Sequence, residues 1–476
     1  MIKYVYALQS TLAKIGGRLN APKVFLFFSI FWGIPMVFLT PPYHVPDEPG
    51  CFMRAYQLSE GNLVSEIQGD SLGGDLPVVH EEFYNIWAKT VTDPETRVGA
   101  EDFNGAFKLP SKIPERKFML FPTGAFHSPV TYFPQALGVF IGRILNLPLL
   151  VSFYLGRLAN LIVWIMLFYF AIQAIPVLKW WLVVLALSPM NVFLAASLSG
   201  DALTNGVAFL FMSLILKNAL TEHIEINTKS FTLLTVLGVM LALLKNAYVP
   251  IALLWFLIPK SAFAGKRDFF IKSGLFFGLI FIVYSANALY LNHLLNTLDY
   301  ENLSGKIIGM HVVNPHKQLA FVLENPLKFI GIAIHSYWES RGFIISSYGG
   351  TFGWLQHKMP DVIIYFVIFV QLVLALTNAK PGIILPARKK AVIALAFAGV
   401  IAAFSLLMYV QFNQVANPVI INLQGRYFIP AVPLLLLLFY NHKLFVKEVV
   451  MKWVAIGAVL IFQIFTVLTT LKAFYV

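Results

Sequence analysis

Long apolar runs alternate with short polar stretches along most of the chain. At roughly 20 residues for each bilayer crossing, this pattern predicts about 11 membrane-spanning helices. The predicted spans are 24–40, 151–173, 180–199, 202–219, 230–247, 248–260, 269–291, 361–379, 391–411, 427–441 and 453–472. Two longer segments, 41–150 and 292–360, interrupt them. We therefore expect an all-α polytopic membrane protein with interfacial helices in these two segments.

The composition supports a membrane protein and excludes two other classes. The chain of 476 residues is 58% hydrophobic and only 12% charged, which a soluble domain of this length would not be. The net charge of +12 does not indicate nucleic-acid binding, because most Lys and Arg flank the apolar runs. The single cysteine, Cys51, excludes an internal disulfide framework.

The placement of basic residues predicts the topology. With the N-terminus inside, the loops predicted to be inside collect most of the Lys and Arg, and both long segments fall outside. This holds only if segment 130–147 does not cross, so we expect it to lie flat on the outer interface with Arg143 pointing to water. The predicted units are 1–40 (cytoplasmic N-terminus and first span), 41–150 (outer-face segment), 151–291 (transmembrane bundle), 292–360 (second outer-face segment) and 361–476 (C-terminal bundle).

An acidic pair, Asp47 and Glu48, follows the first predicted span. It lies in a run stiffened by Pro41, Pro42, Pro46 and Pro49. The pair could be a solvated helix cap, or a general base or metal-binding carboxylate at the membrane surface. We expect Asp47 to act and Glu48 to support it, with His44 orienting a substrate hydroxyl.

A second acid, Asp201, is predicted on the same membrane face. It could cap the span that follows it, which is compatible with a functional role. No cofactor is required, although Asp47 and Asp201 could share a divalent cation such as Mg²⁺ or Mn²⁺, or divide the base and orienting roles.

Arg426 is placed at the outer mouth of a predicted span. It could anchor the span at the interface, or hold a lipid phosphate through its planar, two-point guanidinium. Arg157 and Lys245 could add to such a phosphate site. The other histidines fit structural roles better, and the chain has no nucleotide-binding motif.

Four motifs occur in an order that resembles a known family. They are Pro46-Asp47-Glu48-Pro49 with the helix after it, the run 128–138, Ser188-Pro189-Met190 leading to Asp201, and Gln424-Gly425-Arg426-Tyr427-Phe428 followed by Pro430. Together they resemble an uncharacterised family of bacterial membrane proteins allied to GT-C glycosyltransferases, over nearly the whole chain. The acids here are adjacent rather than spaced as D-x-D, and Gly50-Cys51 stands where Ala-His would be expected.

The resemblance implies an inverting glycosyltransferase of the bacterial inner membrane with its active site facing the periplasm. By resemblance, Asp47 matches the first catalytic acid, Asp201 the second, and 130–147 an interfacial helix. The donor would be a polyprenyl-phosphate sugar, held by Arg426 with Arg157 or Lys245. The residues expected to bind substrate are His44, Arg54, Gln57, Tyr132, Trp338, Glu339, Tyr348, Trp354 and Tyr427.

Neither the acceptor nor the reaction class follows from the sequence alone. One candidate acceptor is an O-antigen repeat of lipopolysaccharide, and teichoic acid or another lipid-linked glycan fits equally well. The alternative function is a flippase or exporter of a lipid-linked sugar, which would need a polar path through the bundle. A scaffolding role would leave the acids and Arg426 on one face unexplained.

Overall fold

The computed structural model describes residues 20–222, 224–298, 313–377, 382–440 and 443–476. The predicted units therefore lack 1–19 of the first unit, 223 of the unit 151–291, 299–312 of the unit 292–360, and 378–381 and 441–442 of the unit 361–476.

Within the described ranges, six helices are long and apolar enough to cross a membrane. They are Ala21–Leu39, Leu149–Ala174, Asp201–Leu220, Lys266–Thr297, Ala387–Phe412 and Glu448–Phe474. Three apolar helices are shorter: Thr228–Leu244, Asp361–Thr377 and the 3-10 helix Asn246–Leu257. The helical membrane architecture agrees with the sequence prediction, but the expected number of about 11 spans is not confirmed.

Prolines explain where predicted spans are broken. The predicted span 180–199 forms two short helices, Lys179–Ala186 and Pro189–Ala195. The predicted span 427–441 forms the 3-10 helix Gly425–Phe428 and the helix Val432–Leu438. Proline lacks a backbone N–H and is best accommodated in the first turn of a helix, so helices restart at such positions.

The first outer-face segment contains a small sheet that the sequence did not predict. Its strands are β1 (Glu66–Gln68), β2 (Ser71–Pro77) and β3 (Arg116–Leu120), antiparallel in the order β1-β2-β3. A Cβ atom at Gly73 would lie 1.8 Å from the carbonyl oxygen of Met119, so only glycine permits this approach of β2 to β3. The all-α prediction is therefore wrong for this segment.

Helices make up most of the remainder of this segment. They are Glu48–Ser59, Val79–Thr92, Ala100–Lys108, Pro122–Ala125, the 3-10 helix Pro129–Tyr132 and Phe133–Ile144. At 1.5 Å per residue, Phe133–Ile144 is roughly 18 Å long, against a hydrocarbon core of about 30 Å. Its length therefore fits the prediction that 130–147 does not cross.

The predicted orientation of Arg143 on this helix is wrong. Its side chain is 14% exposed and lies against the outer-face segment instead of water. Arg143 Nη1 donates to the carbonyl oxygen of Ser59 at 2.6 Å, and Nη2 donates to Glu60 Oε1 at 3.2 Å. These hydrogen bonds hold the helix Phe133–Ile144 against the C-terminal end of the helix Glu48–Ser59.

Segment 292–360 contains three described helices followed by a two-stranded hairpin. Its helices are Pro315–Glu324, Pro326–Glu339 and Arg341–Gly349, and the two-residue strands β4 (Thr351–Phe352) and β5 (His357–Lys358) pair antiparallel. Asn325, in front of Pro326, separates the first two of these helices.

A buried ion pair connects the outer-face segment to the membrane helices. Glu48 and Arg157 are both fully buried, with 2.7 Å between Glu48 Oε2 and Arg157 Nη2. The guanidinium also donates to the carbonyl oxygens of Val37, Thr40 and Pro41, which end the first span. Its Nε donates to Glu48 Oε1 at 2.9 Å, so all five guanidinium hydrogens have acceptors.

Glu48 extends this network in two further directions. Its Oε2 accepts from the backbone N–H of Tyr43 at 3.0 Å, and its Oε1 accepts from the backbone N–H of Leu198 at 3.1 Å. One carboxylate therefore joins the turn after the first span to the turn before Asp201.

We expect Glu48→Gln to destabilise the protein strongly. The substitution keeps the shape of the side chain but leaves Arg157 as an uncompensated buried charge, which costs about 3–5 kcal/mol. The measurement is the free energy of unfolding in detergent. Glu81→Gln is the matched control, because it breaks the exposed pair with Lys117 and should change stability by no more than about 1 kcal/mol. Equal losses in the two variants would contradict the structural role of Glu48.

Candidate functional site

A cavity of about 580 Å³ is lined by residues of segments 41–150 and 292–360 and by residues near the ends of membrane helices. Four charged side chains line it: Asp47, Asp201, Lys245 and Arg426. Asp47 and Lys245 flank helix ends, Arg426 lies in the 3-10 helix Gly425–Phe428, and Asp201 begins the helix Asp201–Leu220. The volume is in the range of small-molecule sites, about 300–1,000 Å³.

Arg426 lies at the centre of this group. Its Nη2 is 2.9 Å from Asp47 Oδ2, and its Nη1 is 3.7 Å from Asp201 Oδ2. The guanidinium is only 3% exposed and is held by Gln424 Oε1, which accepts from its Nε at 2.6 Å. Nη1 makes no hydrogen bond within the described ranges, so its donors remain available to a ligand.

Asp47 has an unusual backbone that aims its carboxylate into the cavity. It precedes the helix Glu48–Ser59 with φ +66° and makes no side-chain hydrogen bond to the helix N-terminus. The left-handed region costs a non-glycine residue energy, but Asp and Asn tolerate it better than others. The side chain is 40% exposed. Its Oδ1 has no hydrogen-bond partner in the part of the chain that the structure describes.

Asp201 is paired with Lys245 as well as with Arg426. Lys245 follows the end of the helix Thr228–Leu244, and its Nζ contacts Asp201 Oδ1. The same Nζ lies 5.0 Å from the centre of the Tyr427 ring. The two acids and two bases balance in charge within this group.

The cavity residues do not fit a divalent cation. In the described ranges there is no group of three or more His, Cys, Asp or Glu side chains placed to hold a metal ion. Asp47 and Asp201 each contact a cationic side chain instead, and Arg426 lies between them. The positive charges of Arg426 and Lys245, beside these carboxylates, would repel a divalent metal ion. A metal shared by Asp47 and Asp201 therefore has no support in this donor set.

Uncharged polar groups also line the cavity. They are Thr123, His127, Ser128, Thr131, Tyr132 and Ser199. Burial, helped by the nearby Lys245, lowers the pKa of His127 to about 4, so the ring is neutral at neutral pH. Burial also raises the pKa of the Cys51 thiol, whose Sγ lies 3.7 Å from Tyr132 Oη, so Cys51 stays protonated.

An apolar wall completes the cavity. It is formed by Leu291, Leu295, Phe343, Phe404, Leu407, Met408 and Phe412. Most of these side chains belong to the membrane helices Lys266–Thr297 and Ala387–Phe412. The lining of the cavity thus contains both charged side chains and an apolar surface that a hydrocarbon chain could contact.

The structure brings together part of the set predicted from the sequence. Of the predicted site residues, Asp47, Asp201, Lys245, Arg426, Tyr132, Trp354 and Tyr427 line the cavity. The indole N–H of Trp354 donates to the carbonyl oxygen of Tyr43 at 2.9 Å, which holds the ring at the cavity edge.

Two of the predicted charged residues lie elsewhere. Glu48 and Arg157 bind each other in the buried network and do not line the cavity. All five hydrogens of the Arg157 guanidinium are used in this network, so Arg157 has no donor left for a substrate phosphate.

The other predicted substrate-binding residues are also apart from the cavity. His44 Nδ1 is 2.9 Å from the carbonyl oxygen of Pro42, and burial lowers the pKa of His44 to about 4. Arg54 and Gln57 bind each other inside the outer-face segment. Tyr348 donates to Gln371.

Trp338 and Glu339 lie on the surface of the second outer-face segment. Trp338 is exposed beneath Arg341, and Glu339 pairs with His335. Neither residue lines the cavity.

Several cavity residues were missed from the sequence, and His127 and Gln424 are the two that matter most for its chemistry. His127 was assigned a structural role with the other histidines, although it directly precedes the Ser128-Pro129 motif. Gln424 begins the motif that contains Arg426, and its carbonyl oxygen Oε1 orients the guanidinium. Adjacency to the motifs was the available signal in both cases.

Comparison with known proteins gives a family but no characterised relative. No curated protein and no solved structure matches the chain. The family model described as "Predicted membrane protein (DUF2142)" matches residues 28–435, which include every charged residue of the cavity. This agrees with a multi-pass membrane protein. The chain belongs to the DUF2142 family of membrane proteins.

Proposed function

We propose that the protein is an inverting glycosyltransferase that moves a sugar from a polyprenyl-phosphate donor to a glycan acceptor. The observation that carries the proposal is the cavity itself, which combines a carboxylate with a free oxygen, two cations and an apolar wall. A sugar, a phosphate and the start of a polyprenyl chain require these three surfaces side by side.

Asp47 is the general base of this reaction. Its Oδ2 is fixed by Arg426 at 2.9 Å, and Oδ1 accepts the proton of an acceptor hydroxyl. The acceptor oxygen then forms a bond to the anomeric carbon of the donor sugar. The bond between that carbon and the phosphate oxygen breaks on the opposite face, and its electron pair leaves with the polyprenyl phosphate.

Arg426 and Lys245 stabilise the phosphate as it gains negative charge. Arg426 Nη1 has donors to offer, and Lys245 Nζ lies on the other side of Asp201. Fixed donors in a site shielded from water stabilise developing charge without reorganisation. Asp201 holds the two cations in place until the donor arrives.

The apolar wall supports a lipid-linked donor over a soluble one. Phe404, Leu407 and Met408 come from a membrane helix, where a polyprenyl chain could enter from the bilayer. The proposed location is the bacterial inner membrane with the cavity on the periplasmic face. The acceptor would be a cell-surface or lipid-linked glycan, with an O-antigen repeat as one candidate.

Incubation of the purified protein with a radiolabelled polyprenyl-phosphate sugar and crude cell-surface glycan tests the proposal. Label transferred to glycan supports a glycosyltransferase. Movement of intact donor across proteoliposomes, without transfer, would support the flippase alternative and overturn the proposal.

Asp47→Asn should lower the rate of transfer by about 10²–10⁴-fold, because the amide cannot accept the proton. Asparagine tolerates the left-handed backbone at this position, so folding and membrane insertion should be retained. Initial rates with saturating donor provide the measurement. Asp75→Asn is the matched control, since Asp75 also pairs with an arginine, Arg116, but outside the cavity. More than about a tenth of wild-type activity in Asp47→Asn would rule out the general base.

Arg426→Lys should raise the KM for the donor more than the KM for the acceptor. Lysine keeps the charge but cannot contact Asp47, Gln424 and a phosphate in one plane. Kinetics with each substrate varied in turn provide the measurement, and Arg116→Lys, outside the cavity, is the control. An unchanged donor KM in Arg426→Lys would indicate that Arg426 only anchors its segment at the interface.

A further inference from the structure

We propose that His127 determines the sugar specificity of the cavity by hydrogen bonding to a hydroxyl of the sugar on the donor. The inference rests on the proposed function and adds a substrate contact to it. It concerns the uncharged polar residues that line the cavity, which have no role in the reaction described above.

The position of His127 supports a ligand contact. The residue lies in the turn between the helices Pro122–Ala125 and Pro129–Tyr132, and it lines the cavity. Its ring meets the Tyr132 ring edge-on, with 6.3 Å between the centroids. Across the described ranges, neither ring nitrogen has a hydrogen-bond partner.

The charges around His127 fix its chemistry. Lys245 opposes protonation of the ring, while Asp201 and Asp47 favour it less strongly than burial disfavours it. The ring is therefore neutral and offers one N–H donor and one nitrogen acceptor. A sugar hydroxyl both donates and accepts, so the two groups match.

Other roles fit His127 less well. A ring with a pKa of about 4 is a weak base, and Asp47 already has a free oxygen for the proton. A purely structural histidine is illustrated by His80, which packs against Phe52 and Tyr56 away from the cavity. The difference is that His127 lines the cavity that Lys245 and Arg426 also line.

The experiment uses the full-length protein in detergent and a polyprenyl-phosphate hexose. Equilibrium binding is measured for this donor and for analogues that each lack one sugar hydroxyl. The wild type should bind one analogue about tenfold more weakly than the parent, as expected for one lost hydrogen bond. His127→Phe should bind the parent and that analogue equally, whereas His127→Gln, which keeps a donor and an acceptor, should restore part of the difference.

His80→Phe is the matched control. Burial lowers the pKa of His80 to about 3, and its nitrogens have no partner among the described residues, but it does not line the cavity. This variant should keep the wild-type preference. Equal binding of all analogues by the wild type, or an unchanged preference in His127→Phe, overturns the inference alone. Failure of the wild type to bind any of the lipid-linked sugars overturns the proposed function and the inference with it.

Discussion

The ion pair between Glu48 and Arg157 is the interaction on which the candidate site depends. A buried charge is costly unless all its hydrogen-bonding groups are satisfied, and here every guanidinium hydrogen has an acceptor. The same network ends the first span, orders the turn at Tyr43 and reaches the backbone of Leu198. It therefore fixes the relative positions of the segments that carry Asp47 and Asp201. Without it, no hydrogen bond of Glu48 would hold together the two turns that carry Asp47 and Asp201, which are 154 positions apart in the sequence.

The adjacent acids Asp47 and Glu48 have opposite environments. Glu48 is fully buried, whereas the Asp47 side chain is 40% exposed and points into the cavity. The left-handed backbone at Asp47 makes this division possible, because it turns consecutive side chains in different directions at the start of the helix. Strain of this kind persists only where the surroundings enforce it, and the network around Glu48 provides that constraint. The structural acid thus holds the exposed acid in a conformation it would not adopt alone.

The sequence predicted a helical membrane protein, although not its number of spans, and the charged residues of the cavity, because both leave local signals. Apolar runs indicate spans, and Asp47, Asp201 and Arg426 stand out as charges beside such runs. What it could not predict were the pairings between distant residues. Arg157 and Arg426 look alike in the sequence, but one fills a fully satisfied buried network and the other keeps donors free. The sheet was missed because β2 contains Gly73 and Gly74 in a short strand, so its apolar alternation is weak.

The arrangement of surfaces around Arg426 limits the ligands that the cavity can accept. A soluble anion would use Arg426 and Lys245 but leave the wall formed by Phe404, Leu407 and Met408 facing water. A simple lipid would cover that wall but leave the cations paired only with Asp47 and Asp201. The proposed donor, with a phosphate between an apolar chain and a hydroxyl-rich sugar, would offer a partner to both kinds of lining residue.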